Sequence, residues 1–418
     1  MVTVENILKA STEQRKKYLE RNKDCAKRLV DEKSVSPLPS FARIITGIRR
    51  CGKSTVVQMI FLQKGAFYLN FEDTSLYEFD TEDFELLDEA IERFSKENSC
   101  KYLCFDEIQS VKGWEIFVHR KLEENYLVIV TGSNASLLSW ELGTRLTGRH
   151  LDYEMFPFSF EEYCILKKTE TTTESFSEYL KQGGFPEALK NESDEILQKL
   201  FDDILVRDIA VRHSIRDIRT LKILSLYLAS NGGNLVSGSK LSAQLGIKTN
   251  VTILEYLSFL EQCYLFFFVP KFNYSAKAQS VNPKKVYCID TRMIQNVTLS
   301  ANADTGRMLE NAVFIELRRH TKNIWYYSEA AFECDFLFGR DVVPENAVQV
   351  CYELTSENRE REVRGLVETC KKFPGIKPLI VTFNQKDKIS CDGMIIEAVP
   401  AVEFFTQNNL HGEQEKLA

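Results

Sequence analysis

The stretch Gly47-Ile48-Arg49-Arg50-Cys51-Gly52-Lys53-Ser54-Thr55 decides how this chain is read. It follows the β-branched run Ile44-Ile45-Thr46 and precedes an apolar helical pattern, so it joins a strand to a helix. The spacing G-x-x-x-x-G-K-S is that of a phosphate-cradling loop. Gly47 and Gly52 let the backbone curl until successive N–H groups point inward, and the helix that follows adds the positive end of its dipole. Lys53 then supplies charge to the β- and γ-phosphates of ATP, Ser54 a hydroxyl for Mg2+, and Thr55 a contact to the α-phosphate. Arg49, Arg50 and Cys51 complete the loop. The two arginines are unusual cations there, placed to brace the acidic Glu72 and Asp73 or a neighbouring subunit.

Working outward, short apolar runs alternate with helical stretches: Arg43 to Thr46, Ala66 to Asn70, Tyr102 to Phe105 and Leu127 to Thr131. That alternation predicts a parallel sheet with crossover helices. The run Lys101-Tyr-Leu-Cys-Phe-Asp106-Glu107 is an apolar strand tipped by two carboxylates. Asp106 suits a Mg2+ ligand acting through water, and Glu107 a group that polarises the attacking water. The same pair also fits a solvated turn. Leu127-Val-Ile-Val-Thr131-Gly132-Ser133-Asn134 is a further strand with a small polar tip. In an additional-strand P-loop fold it lies between the other two, where Ser133 or Asn134 orients water; Ser133 equally suits an N-cap for a helix starting near Leu137. Gly143-Thr-Arg145-Leu-Thr-Gly148-Arg149 offers Arg145 and Arg149 as γ-phosphate sensors, with plain surface arginine the other reading.

Composition frames these motifs. A chain of 418 residues is too long for one core and predicts two or three domains. Its 44% hydrophobic and 27% charged content is that of a globular protein. A net charge of -7 argues against nonspecific coating of nucleic acid, which needs clustered Lys and Arg. No apolar stretch is long enough for a membrane span, and the N-terminus lacks the apolar centre of a signal peptide, so a cytoplasmic, non-membrane protein is expected. The 11 Cys lack C-x-x-C pairs and read as reduced, mostly buried thiols.

Residues 1–40 read as a helical lead-in ending at the turn Ser34-Val-Ser-Pro-Leu-Pro39. After Glu154-Met-Phe-Pro-Phe the alternation stops and a helical region follows. Within it, Ser239 to Phe268 reads as helix, turn at Gly246, helix, strand, the order of a winged helix. Lys248, Thr249 and Asn250 would lead its second helix, as a DNA contact or as an interdomain lid. Beyond it, strands at Leu265–Val269, Lys285–Ile289, Ile324–Tyr327, Cys334–Phe338, Val348–Glu353 and Leu379–Thr382, with helices near Gly306–Thr321 and Arg361–Lys372, predict a small α/β domain.

The segments "TGIRRCGKST", "YLNFED", "CFDEIQSVKGWE", "VTGSNASLLS", "LTGRH", "FPFSFEEY", "GGFPE", "VRDI", "KVYCID", "LENAVFIELRR" and "ECDFLF" occur in one order from Ile44 to about Asp335. Together they resemble the prokaryotic AAA-superfamily ATPases with a GxRRxGKST P-loop and a C-terminal domain of unknown function. The resemblance implies an AAA-like ATP-binding core, a winged-helix segment and a C-terminal fold similar to restriction endonucleases. Such nucleases carry an acid on the first helix, an Asp on a hairpin strand and Glu-x-Lys on the next strand, two acids holding Mg2+. Their counterparts here are Glu310, Asp335 and Gln349-Val350-Cys351. Gln349 removes a charge from the metal cage and Cys351 removes the cation, so a degenerate site with little or no cleavage is expected. Glu353, on the same strand face as Gln349, is the nearest candidate rescue, with no lysine beside it.

The chain is therefore expected to be α/β, with a lead-in over 1–40, a P-loop AAA-like ATPase domain with a parallel sheet over 41–155 and a helical, winged-helix region over 156–270. A restriction-endonuclease-like domain over 271–406 and a polar tail over 407–418 complete it. The function expected is a Mg2+-dependent ATPase acting as a nucleotide-driven switch. Two alternatives stand beside it: a DNA-processing ATPase that binds DNA through the winged helix, and a protein-interaction scaffold, as partner or homo-oligomer, with little turnover.

Overall fold

The computed structural model describes residues 2–21, 27–134, 148–247, 249–297 and 305–406. Arg145, Lys248, the helix expected from Leu137 and the tail 407–418 lie outside the described residues. The chain divides into two compact units, Met1–Pro157 with Gln262–Tyr264, and Phe158–Glu261 with Leu265–Ala418.

The first unit opens with the helices α1 (Val4–Arg21) and α2 (Glu32–Val35), so the lead-in is one long helix and one short turn. Ile7 of α1 is fully buried in the unit's core. Strands β1 (Ala42–Thr46), β2 (Phe67–Asn70), β3 (Tyr102–Asp106), β4 (Leu127–Gly132) and β5 (His150–Glu154) form one sheet in the order β2-β3-β4-β1-β5. Every neighbouring pair is parallel. Runs such as Ile44-Ile45 and Val128-Ile129-Val130 are buried without alternation, the pattern of strands covered on both faces. The connections carry helices α3 (Lys53–Phe61), α4 (Phe84–Asn98) and α5 (Trp114–Glu123).

An aromatic chain locks α4 and α5 to the sheet. Phe105 of β3 meets Phe117 of α5 edge-on at 5.7 Å, and Phe117 stacks on Phe84 of α4 at 4.7 Å. Phe84 in turn meets Phe79 at 5.4 Å, and Phe79 meets Phe71 at 5.2 Å. These offset and edge contacts add to the burial of each ring.

The second unit begins with helices Phe160–Lys167, Thr173–Gln182 and Asp194–Asp203, the first opened by a capping box between Ser159 and Glu162. The helical path continues as a π-helical segment, Ile204–Val211, and then the helix Ile218–Ser230. A three-stranded antiparallel sheet follows, β6 (Leu235–Val236), β7 (Phe266–Val269) and β8 (Lys284–Cys288), in the order β6-β8-β7. Helices Gly238–Leu245 and Asn250–Gln262 separate β6 from β7.

The remaining strands, β9 (Ile324–Glu329), β10 (Phe332–Phe338), β11 (Asn346–Cys351), β12 (Lys377–Thr382), β13 (Asp387–Cys391) and β14 (Met394–Pro400), build a mixed sheet ordered β13-β14-β12-β11-β10-β9. Helices Thr305–His320 and Arg359–Lys372 accompany it. The strand expected at Lys285–Ile289 thus pairs within the small sheet, and not with the C-terminal strands. The β13–β14 hairpin adds two strands that the sequence reading lacked. Among the described residues, no helix is long and apolar enough to cross a membrane. Of the ten described cysteines, nine are buried.

Phe105 is 0% exposed and central to the aromatic chain. Phe105→Ala is expected to destabilise the first unit by roughly 3–5 kcal/mol, the usual range for a lost core ring. Urea unfolding followed by the near-ultraviolet signal checks this.

Candidate functional site

Because the five strands run parallel, their carboxyl ends share one edge, where ligands of open α/β sheets bind. β4 lies between β1 and β3, so the residues after β1, β4 and β3 are neighbours. The P-loop leaves Thr46, Ser133 follows Gly132 and Glu107 follows Asp106.

The loop's backbone explains its glycines. Gly47 has φ +148, and a Cβ there would lie 2.0 Å from Met155 O. Gly52 has φ +101 and caps α3, whose first-turn N–H groups lack intrahelical partners. Arg50 is also left-handed, at φ +65. Lys53 is buried, and its Nζ donates to Gly47 O at 2.9 Å and Ile48 O at 3.1 Å. Cys51 is buried with its Sγ 3.4 Å from Met155 O, while Ser54 and Thr55 are half-buried on the first turn of α3. Arg49 pairs with Glu72 at 3.2 Å, one of the two acids expected to receive it. Asp73 instead accepts from Gln14 at 3.0 Å and from Ser75 N at 3.0 Å.

Asp106 is fully buried and held by three donors that the sequence reading did not single out. Tyr68 OH donates to Oδ2 at 2.7 Å, Asn70 Nδ2 donates to the same oxygen at 3.2 Å, and Thr131 Oγ1 donates to Oδ1. Burial and the Asp106 carboxylate push the Tyr68 phenol far above its usual range, so it stays a donor. The signal for these partners lay in the strand ends: Tyr68 and Asn70 on β2 and Thr131 on β4 are register neighbours of β3.

Glu107 adopts φ +55, a left-handed conformation costly for a side-chain-bearing residue and concentrated at functional sites. Gln109 Nε2 donates to its Oε2, and Ser133 Oγ approaches the same oxygen at 3.4 Å. Burial raises its pKa, with the Lys53 charge opposing the shift. Asn134 is fully buried with Nδ2 3.8 Å from Cys263 Sγ.

Arg149 is the exception. Its carbonyl accepts from Ala42 N at 3.1 Å, at the start of β1, and its guanidinium lies 4.0 Å from Glu123. Since β5 runs parallel to β1, Arg149 sits at the opposite edge of the sheet, about 15 Å from its own P-loop at ~3.3 Å per residue. Within its own unit the structure therefore does not bring Arg149 to the P-loop.

The hard oxygen donors Ser54 and Asp106 suit Mg2+, which prefers oxygen ligands and keeps several waters.

In the second unit, Glu310 on Thr305–His320, Asp335 on β10 and Gln349 on β11 line one cavity of about 740 Å3. Cys351 does not line it; its side chain joins the hydrophobic cluster beneath the sheet. Glu353 is exposed past the end of β11, and the acid beside Gln349 is instead Glu362, which accepts from Gln349 Nε2 at 2.8 Å. Gln349 Oε1 accepts from Asp335 N at 3.2 Å, so both ends of the amide are engaged.

A lysine does accompany the carboxylates, from outside the expected motif. Lys285 of β8, 3% exposed, donates to Glu333 at 2.7 Å, Asp335 at 2.8 Å and Glu310 at 3.3 Å. Burial alone would lower its pKa; Asp335 and the other carboxylates reverse that and raise it well above the usual lysine range. Burial, then Asp335, push the Glu310 carboxyl upward. Tyr287 OH also donates to Glu310 at 2.7 Å. Among the described residues, no group of three or more His, Cys, Asp or Glu is arranged to hold a metal ion. The set around Gln349 and Lys285 does not fit Mg2+, which would compete with an ammonium for the same oxygens.

Glu107 and Lys285 each have measurable consequences. Glu107 has a raised folded-state pKa, so its contribution to stability is fully present below the unfolded value of about 4.3 and is lost as pH rises through the folded value. Glu107→Gln should therefore melt at a higher temperature than wild type at neutral pH, with the gap shrinking toward pH 4; thermal melts across that range test the sign. Lys285→Met strips three carboxylates of their shared cation and should destabilise the second unit by roughly 3–5 kcal/mol, read from its urea midpoint.

Comparison with known proteins agrees with the first unit's geometry. Residues 40–164 match the family model described as AAA domain, and residues 173–304 match a domain of unknown function, DUF8612, which ends before β9. "Uncharacterized protein MJ1544" of Methanocaldococcus jannaschii is 34% identical over 396 residues, covering 87% of this chain and 88% of that protein. An uncharacterized protein of Haemophilus influenzae is 31% identical over 389 residues, covering 88% and 94%. Among solved structures, C. elegans PCH-2 aligns over 62% of this chain and 66% of its own at 14% identity, with a TM-score of 0.23, too slight a likeness to bear on the site. With its parallel sheet, its P-loop and these relatives, the chain belongs to the family of the Methanocaldococcus jannaschii protein MJ1544 and carries an AAA domain in its first unit.

Proposed function

We propose that this protein is a Mg2+-dependent ATPase whose nucleotide state drives the second unit. The carrying observation is the convergence of the P-loop, Asp106, Glu107 and Ser133 at adjacent carboxyl ends of β1, β3 and β4. Mg2+, when bound, neutralises charge on the β- and γ-phosphates. Ser54 and Asp106 are the residues that would hold it. Lys53 exchanges its carbonyl partners for phosphate oxygens, and the N-terminus of α3 adds N–H donors. Glu107, oriented by Gln109 and Ser133, accepts a proton from the attacking water, and the upward shift that burial gives its carboxylate makes it a stronger base.

The order helix Ile218–Ser230, β6, helix Gly238–Leu245, helix Asn250–Gln262, β7, β8, with an antiparallel sheet, supports a winged-helix reading of that segment. The carboxylates Glu310 and Asp335 around one cavity, on a helix and a mixed sheet, support a restriction-endonuclease-like ancestry. Gln349 and Lys285 argue against efficient cleavage, because a neutral amide and an ammonium occupy places where a metal needs anionic oxygen. The cavity lining sets seven carboxylates, Glu329, Glu357 and Glu360 among them, against the three cations Lys285, Arg361 and Arg364, an acidic balance that disfavours a phosphodiester backbone. The switch is therefore favoured over the DNA-processing reading.

Wild-type protein should hydrolyse ATP at a rate unchanged by duplex or single-stranded DNA, and Lys53→Ala and Glu107→Gln should each lose at least about a hundredfold in kcat. A DNA-stimulated rate would favour DNA processing, and no hydrolysis the scaffold. Plasmid incubated with the protein and Mn2+ should stay intact; cutting that disappears in Asp335→Ala would overturn the degenerate-site reading.

A further inference from the structure

Arg28 lies outside the P-loop motif yet contacts the loop. Its side chain is buried, 6% exposed, and its guanidinium spans two backbone carbonyls: Nη1 donates to Cys51 O at 2.6 Å and Nη2 to Phe156 O at 2.9 Å. The same face of the loop is fastened at two further points. Met155 N donates to Thr46 O at 2.7 Å, and the Cys51 thiol donates toward Met155 O at 3.4 Å. A Cβ built at Gly52 would stand 3.4 Å from Arg28 Nη1, so the guanidinium lies directly against the peptide that opens α3.

The Cys51–Gly52 peptide is planar and trans, so its carbonyl and its N–H point in opposite directions. A donor that pins the carbonyl therefore aims the N–H. We propose that Arg28 is a positioning residue of the nucleotide site, holding the Cys51 carbonyl outward so that the Gly52 N–H faces the β-phosphate of a bound nucleotide. The proposal rests on the ATP-binding reading of the P-loop. A planar five-donor fork suits such a role because one group reaches both carbonyls at fixed separation, whereas an ammonium is a point charge on a flexible stem. The guanidinium also places positive charge behind the phosphate site. Its anchorage at Phe156 O ties the loop's shape to the segment after β5, so the cradle is held from both flanks.

The test uses the full-length chain with Arg28→Gln and Arg28→Lys, titrated with ATP, ADP and AMP in MgCl2, alongside melting temperatures without nucleotide. Arg28→Gln should bind ATP and ADP about tenfold more weakly, the scale of a lost charge-assisted hydrogen bond, while AMP, which has no β-phosphate, binds as in wild type. Arg28→Lys should fall between the two. Should Arg28→Gln not fold, Arg28→Lys carries the test with the same contrast: ADP weakened, AMP unchanged. Unchanged ATP and ADP affinity in a folded variant would overturn the assignment, as would an equal loss for all three nucleotides with a lowered melting temperature, the mark of a merely structural arginine. Wild-type protein that binds neither ATP nor ADP would instead remove the ATPase reading itself, and the Arg28 role with it.

Discussion

The contact that most of the first unit depends on is the approach of Gly47 to Met155. A side chain at Gly47 would collide with Met155 O, and Met155 N already donates to Thr46 O, so the root of the P-loop and the end of β5 are one packed corner. This corner exists because β1 and β5 are parallel neighbours in register from Ala42 to Thr46. The same parallelism brings the carboxyl ends of β4 and β3 alongside. Phosphate cradle, carboxylate pair and polar strand tip therefore need no long-range loop to meet; sheet order alone delivers them to one edge.

The second unit solves a different electrostatic problem. Half-buried Glu310 and buried Asp335 converge from a helix and a strand, with the exposed Glu333 beside them, and two such carboxylates cannot be crowded away from water without a cation. Lys285 supplies it from β8, a strand of the small sheet, so the two sheets of this unit share one buried charge cluster. Beyond Asp335 the network runs through the Gln349 amide to Glu362 and on to Arg361. A chain of this kind fixes its members' orientation more firmly than any single pair would.

What was legible in the sequence follows from this. The P-loop, Asp106 and Glu107 were readable because their chemistry is carried by residues adjacent in the chain, at strand tips marked by apolar runs. Glu310, Asp335 and Gln349 were readable only through the resemblance, and the structure does bring those three around one cavity. Arg28, Lys285, Tyr68 and Glu362 were not readable, because each acts across a fold contact that no local spacing encodes. Glu353 looked like the rescuing acid by strand alternation, but β11 ends at Cys351 and the alternation ends with it. Arg149 lies away from the P-loop for a related reason: proximity in sequence to the strand-end motifs says nothing about which edge of a parallel sheet a loop occupies. The partner of β8 was not legible either, because pairing is set by topology, while a strand's own residues report only its burial.

Two of the buried lysines, Lys53 and Lys285, bring out the contrast between the units. Lys53 donates to two neutral carbonyls, whereas Lys285 donates to three carboxylates. An ammonium desolvated against peptide dipoles regains less of its hydration energy than one desolvated against anions. An arriving phosphate therefore improves the surroundings of Lys53 by replacing dipoles with charge. At Lys285 the balance is reversed, since acceptors already outnumber the cation and a further anion would meet surplus negative charge. Each lysine thus states what its site is built to receive: the first favours an anion, and the second has no electrostatic reason to admit one.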